Sequence, residues 1–202
     1  MDTPKVILFD ADGVTLKKGT EYFSEKFARE YDAPLDEITE FFKHEFRECQ
    51  TGKRDLKKEL EERLPKWGWD KSVDEFLEYW FESDVHIDEK VIGKIRELRA
   101  QGVICCLATD QEKYRAQYLH DRLGNEFEHL FFSYELGHTK NEQGFFMEAA
   151  HQLDVEPKDM RYWDDDKKNI EVAKELGIDA RFFKTIDDLD DEHHPPSEIS
   201  IK

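Results

Sequence analysis

The chain has little that would staple it, anchor it or draw it to a polyanion. Three cysteines among 202 residues are too few for a disulfide framework. Cys105 and Cys106 are adjacent and Cys49 stands alone, so no metal-ligand spacing appears either. All three read as reduced and structural, because a reactive thiol needs an electropositive, partly exposed setting that the inside of an apolar strand does not offer. Long apolar runs are also missing. The longest, Val103-Ile-Cys-Cys-Leu-Ala108, is far too short to span a bilayer, and the amino terminus enters a strand without the charged and apolar regions of a signal peptide. Positive charge is scarce: 30 lysines and arginines face 48 acids, a formal net charge of -18. That balance argues against nucleic acid or an anionic membrane as partner, since both are repelled at long range. The expectation is a soluble cytoplasmic protein, monomer or homodimer, with one sizeable core and at most a small accessory lobe.

What is present comes almost at once. Lys5-Val-Ile-Leu-Phe-Asp10-Ala-Asp12-Gly13-Val14 is an apolar run ending in two carboxylates one residue apart. So apolar a strand belongs in the buried centre of a parallel sheet, which puts the acids at the carboxyl edge, where open α/β folds place their chemistry. Alternation points Asp10 and Asp12 the same way, and Gly13 lets the backbone turn beside them. Like charges this close repel, and a divalent cation is the usual remedy.

A long helical stretch follows. Phe23, Phe27 and Tyr31 share one face, Ile38, Phe41, Phe42 and Phe46 another, and Val73, Phe76, Leu77, Trp80 and Phe81 keep the i, i+3, i+4, i+7, i+8 pattern. Ser72 and Glu75 have capping-box spacing, while Pro34, Pro65 and Gly68 mark breaks. From about residue 88 the pattern turns to alternating helix and strand, with strands at Val103 to Ala108, Leu130 to Ser133, Met160 to Trp163 and Ala180 to Phe183. With the first strand this rhythm predicts a doubly wound parallel sheet, the helical lobe inserted after strand one. The expected division is a core of residues 1–15 and 86–192, a helical lobe of 16–85 and a flexible tail of 193–202. The tail's His193-His194-Pro195-Pro196 reads as a solvated, mobile end rather than a metal site.

Acids are so common here that an Asp-x-Asp triplet gains meaning only from its position. A second cluster, Asp164-Asp165-Asp166, follows the Met160 to Trp163 strand and emerges on the same edge, with Asn169 close behind. Two strand-end acid clusters in one parallel sheet describe an oxygen-ligand site suited to Mg²⁺; the plainer reading is that one of these acids caps the next helix. Thr109 ends the second strand, Asp110 stands at the apparent start of a helix that runs from about Gln111 to Leu123, and Lys140 follows the third strand. A hydroxyl, backbone amides and an ammonium together make an anion cradle. Each also has a duller reading, Thr109 as a cap and Lys140 as one of many solvated lysines.

With these motifs in order, the chain resembles the haloacid dehalogenase superfamily. Asp10-Ala-Asp12-Gly13-Val14 matches its first motif, Leu107-Ala-Thr109-Asp110 its second, Lys140 in Gly137-His-Thr-Lys its third, and Tyr162-Trp-Asp164-Asp165 with Asn169 its fourth. The resemblance implies an α/β Rossmann-like core with an inserted helical cap and a Mg²⁺-dependent phosphatase acting on a small phosphorylated metabolite. It implies Asp10 as nucleophile and Asp12 as proton shuttle. It further implies Mg²⁺ held by Asp10, the Asp12 main-chain carbonyl and Asp165, with Asp164 and Asn169 behind them, and phosphate held by Thr109, Asp110 and Lys140. Relatives that cleave carbon–halogen bonds typically lack the second acid of the first motif, so Asp12 favours phosphate chemistry; a phosphomutase, a phosphotransferase or a binding protein with little turnover shares the same core. Two departures stand out: Asp110 where the family usually has Asn, and Lys140-Asn-Glu-Gln where it has Lys-Pro-Asp-Pro, which loosens the lysine's loop. Among the lobe's aromatics, Phe41, Phe42, Phe46, Trp67, Trp69, Trp80 and Phe81, most are expected to be packing and one or two to line the substrate space. Lys17, Lys18, Lys53 and Arg54 are candidates for steering an anion, against the plainer reading of a solvated charged face.

Overall fold

The computed structural model describes residues 4–193. Five parallel strands, β1 (Val6–Phe9), β2 (Ile104–Thr109), β3 (His129–Phe132), β4 (Met160–Asp164) and β5 (Asp179–Phe182), form one sheet in the order β3-β2-β1-β4-β5. The centre of the sheet is buried on both faces, because β1 is apolar at every position and β2 at all but its last. In β1, Ile7 and Phe9 join Cys105, Leu107 and Trp163 on one side, while Val6 and Leu8 join Cys106, Ala108 and Tyr162 on the other. Helices α6 (Glu89–Ala100) and α7 (Lys113–Leu123) cover the first side, and α9 (Gln143–Leu153) and α10 (Lys167–Glu175) the second. Cys49, Cys105 and Cys106 are all buried and unbridged. No helix among the described residues is long and apolar enough to cross a membrane.

Between β1 and α6 the chain builds a helical lobe from α1 (Phe23–Tyr31), α2 (Leu35–Lys43), α3 (Glu45–Gln50), α4 (Leu56–Glu61) and α5 (Val73–Asp84). These helices are short and weak alone, and a shared aromatic cluster holds them. Phe27, fully buried, packs edge-on against Phe76 at 5.2 Å and beside Tyr31 at 4.9 Å, and Phe23 stacks on Trp80 at 5.1 Å. Ser72 and Glu75 form the expected capping box at α5. The expected face carrying both Ile38 and Phe46 is broken at His44, whose φ of -116° and ψ of -82° end α2 and start α3 in a new direction.

Elsewhere the elements shift at their ends. The helix expected from Gln111 begins at Lys113, capped by Glu112, and a one-turn helix, α8 (Ser133–Leu136), follows β3. Leu16, at the first residue of the expected lobe, is buried with the core, where it bridges to Ile87, and Lys17 N–H donates to the His86 carbonyl. The acidic stretch after Thr185 is not all tail: Ile186–His193 forms a 3-10 turn that buries Leu189, while residues 194–202 of the expected tail lie outside the described residues.

The lobe's stability rests on rings that interlock without leaving space. Phe27→Ala should therefore cost about 3–5 kcal/mol, the range for a large buried ring truncated to a methyl. Urea unfolding followed by tryptophan fluorescence checks it, since Trp69 and Trp80 belong to the same buried cluster.

Candidate active site

Register brings the acids together. Phe9 lies level with Trp163 across the β1–β4 pair, and Asp10 N–H donates to the Trp163 carbonyl at 3.0 Å, so the next residues, Asp10 and Asp164, meet where both strands end. One carboxylate oxygen from each of Asp10, Asp164 and Asp165 falls within 4.8 Å of the others. Asp10 is 5% exposed and Asp164 fully buried.

What keeps these charges together is a buried ammonium. Lys140 Nζ lies 2.5 Å from Asp10 Oδ1 and 2.8 Å from Asp164 Oδ2, and its residue is 3% exposed. Burial alone would make Lys140 lose its proton, but Asp10 and Asp164 override it and hold the ammonium well above its ordinary range. Asp164 is further satisfied by Tyr162 Oη, by Asn169 Nδ2 at 3.1 Å and by the Asp166 amide at 2.5 Å. Asp166 is the acid that caps α10. Asp10 is left with burial, together with Asp164 and Asp12, pushing its carboxyl well above the ordinary range, against Lys140 alone.

That imbalance suits a divalent cation, and the local shape suits it too. Asp165 Oδ2 is met by the ammonium of Lys18, whose side chain is 71% exposed and reaches in from solvent as a replaceable counterion. Gly13, at φ +88°, passes so close that a Cβ there would collide with Asp165 Oδ2. Oxygen donors with a close backbone approach are the donor set Mg²⁺ takes. The Asp12 carboxylate lies outside this cluster.

Asp12 instead faces the lobe. Arg115, from α7, grips it in a fork, Nη1 to Oδ2 and Nη2 to Oδ1, each at 2.8 Å, and Gln111 Nε2 adds a third bond at 2.8 Å. Desolvation works to raise Asp12, but Arg115 prevails and holds the carboxyl below its ordinary range. The same guanidinium reaches Asp84, at the end of α5, at 3.3 Å. Neither Arg115 nor Gln111 was visible as a site residue in the sequence. Gln111 precedes the cap of α7 and Arg115 lies in its first turn, so no helical spacing marked them as a pair.

The remaining predicted residues lie around the acids. Thr109 is buried and its Oγ1 accepts from Gln111 Nε2 at 3.0 Å. Asp110 Oδ1 accepts the Lys140 N–H at 2.9 Å, and Glu142 accepts the Thr139 N–H at 3.0 Å, so the loop without prolines is tied down by side chains. The two departures from the family pattern thus compensate each other. Gln50 of α3 donates to the Asp110 carbonyl at 3.1 Å, bringing the lobe to the same loop.

The sequence matches the family model described as haloacid dehalogenase-like hydrolase over residues 4–177, and the chain belongs to that family. Its fold is similar to that of a haloacid dehalogenase family enzyme from Bacteroides thetaiotaomicron, solved in complex with magnesium and inorganic phosphate (21% identity, 90% of this chain and 94% of that one, TM-score 0.77). It is also similar to a predicted hydrolase of the family from Porphyromonas gingivalis (18%, 90% and 91%, TM-score 0.76) and to a phosphatase of the family from Thermococcus onnurineus (22%, 89% and 86%, TM-score 0.61). At these identities the likeness is one of fold.

The Arg115 fork depends on the start of α7, where Glu112 is 1% exposed and accepts the Tyr114 and Arg115 amides at 2.7 Å each. Burial pushes Glu112 from 4.5 up to about 7. A raised carboxyl pKa means the folded state holds more protons than the unfolded one between those values, so stability falls as pH rises through that window. Glu112→Gln keeps an amide acceptor and removes the charge. Its stability relative to wild type should therefore climb from pH 4.5 to about 7, by at most about 3 kcal/mol, as read from urea midpoints at each pH. A flat difference would show that Glu112 ionises normally. Asp110→Asn, which keeps the acceptor for Lys140 N–H, should fold as wild type and bind inorganic phosphate more tightly, measured by calorimetry.

Proposed function

We propose that this haloacid dehalogenase-like hydrolase is a Mg²⁺-dependent phosphatase that acts in the cytoplasm on a small phosphorylated metabolite through an aspartyl-phosphate on Asp10. The observation that carries the reading is the division of labour between two acids one residue apart. Asp10 sits in the Asp164–Asp165 cluster with Lys140 against it, whereas Asp12 stands outside the cluster and lines the cavity under the lobe. That separation supports a reading in which one acid attacks and the other exchanges protons, and a dehalogenase of this family would need only the first.

Mg²⁺ bound by Asp10, Asp165 and the Asp12 carbonyl, with Asp164 and Asn169 supporting them, would neutralise charge on the phosphoryl oxygens. Asp10 Oδ attacks phosphorus, the bond to the leaving oxygen breaks, and Asp12 gives that oxygen a proton. In the second half Asp12 takes a proton from water, whose oxygen attacks phosphorus and frees Asp10. Lys140, Thr109 and the Asp110 amide hold the equatorial oxygens as charge redistributes. Lys140 also opposes the protonation that burial favours at Asp10. Asp12 can carry a proton only when its ion pair with Arg115 opens, and Asp84 gives that guanidinium a second carboxylate to turn to.

Purified protein should release inorganic phosphate from an aryl phosphate when Mg²⁺ is present and stop when a chelator removes it. Asp10→Asn should lower turnover by at least about 10³-fold, the scale for loss of a covalent nucleophile, with an unchanged circular dichroism spectrum. Turnover indifferent to chelator would overturn the reading.

A further inference from the structure

Between the lobe and the strand ends lies a cavity of about 750 Å³. Asp12 and Gly13 are at its floor, and Phe42, Phe46, Arg47 and Trp80 form one wall. The three rings meet at 5.1 to 5.6 Å, yet Phe42 and Phe46 stay partly exposed, leaving an apolar surface beside the reacting acids.

Arg47 is the odd member. Eight of the ten arginines, at positions 29, 54, 63, 96, 99, 115, 161 and 181, pair with carboxylates, and Arg122 lies over the Tyr118 ring. Arg47 has no such partner among the described residues, and its helix neighbours Glu45 and Glu48 are taken by Arg63 and Arg54. Of the cavity's acids, Glu21 pairs with Arg29, Asp12 and Asp84 share Arg115, and Glu25 accepts the Tyr22 amide at the start of α1. In a chain of net charge -18, the cavity wall therefore presents a guanidinium that none of these acids engages. Gln50, three residues on in α3, is bonded to the Asp110 carbonyl at the proposed phosphate loop, which sets Arg47 about one helical turn, about 5 Å along the helix, from that anchor.

The geometry points to Arg47 as a specificity-determining residue that takes a second anionic group, a carboxylate or a second phosphate, on the leaving group of the ester, with the body of that group lying against Phe46. This rests on the phosphatase reading of the same site. The planar fork of arginine suits both anions, and the apolar wall favours a leaving group with a hydrocarbon body over a bare polyol.

The test compares phenyl phosphate with 3- and 4-carboxyphenyl phosphate and phenylene bisphosphate in the Mg²⁺-loaded enzyme. Wild type should prefer at least one doubly anionic ester by about tenfold or more in kcat/KM, and which one tells carboxylate from phosphate. Arg47→Ala should erase that preference, chiefly through KM, and Arg47→Lys should restore part of it. Because the side chain is exposed and unpaired, both variants should melt as wild type does. Equal rates on all esters in wild type, or a preference that survives Arg47→Ala, would overturn the inference. If none of the esters is hydrolysed, the phosphatase reading fails and calorimetry decides the inference separately. A Kd for carboxyphenyl phosphate or phenylene bisphosphate weakened about tenfold by Arg47→Ala would sustain it, and Kd values unchanged for both would end it.

Discussion

The structure depends on holding three carboxylates together where two parallel strands end. Repulsion among Asp10, Asp164 and Asp165 would push the β1 and β4 ends apart if nothing offset it, and in a buried setting that repulsion is barely screened. Lys140 supplies the offset from the loop after α8 and draws its own pKa upward in doing so. Three carboxylates against one ammonium leave the arrangement two positive charges short of neutral, and the Lys18 ammonium at Asp165 marks where positive charge belongs. The buried Lys140 pair is thus less a source of net stability than a device that fixes the place of Asp10.

The helical lobe is joined to the same centre by polar bonds and through α7. Gln50 reaches the Asp110 carbonyl, Tyr114 Oη donates to Asp55 at 2.8 Å, and Asp84 shares Arg115 with Asp12. The lobe's aromatic cluster packs against Tyr114 and Tyr118 of α7, with Phe81 5.3 Å from the Tyr118 ring, so the helix that carries Arg115 also carries the lobe's apolar contact. Arg115 is central to that economy. It ties the acid facing the cavity to the last turn of α5, and any displacement of the lobe is felt at Asp12.

Much of this was legible in the residue order. The β-α alternation, the acids at the ends of β1 and β4, and the capping box at Ser72 follow from apolar runs, strand length and side-chain spacing, which are local properties. Errors fell where tertiary packing overrides local pattern. A helical face from Ile38 to Phe46 is sound on periodicity, but both halves bury better with a bend at His44, because Phe42 and Phe46 then reach the same Trp80 ring. The turn that buries Leu189 was not foreseen, since one buried leucine among aspartates leaves no periodic trace. Asp110, a departure from the family pattern, is the acceptor that secures the Lys140 backbone.

By itself the sequence determined the sheet, its carboxyl edge and which acids stand there, because alternation and strand termination are set by neighbours within a few residues. Only the tertiary structure decided what those acids touch. Arg115 lies 103 positions from Asp12 and Lys140 lies 130 positions past Asp10 in a charge-rich chain, and residue spacing alone distinguishes neither from the many solvated cations around it. Parallel pairing of distant strands buries these two and leaves Arg47 open, and burial is what turns an ordinary charge into a specific partner.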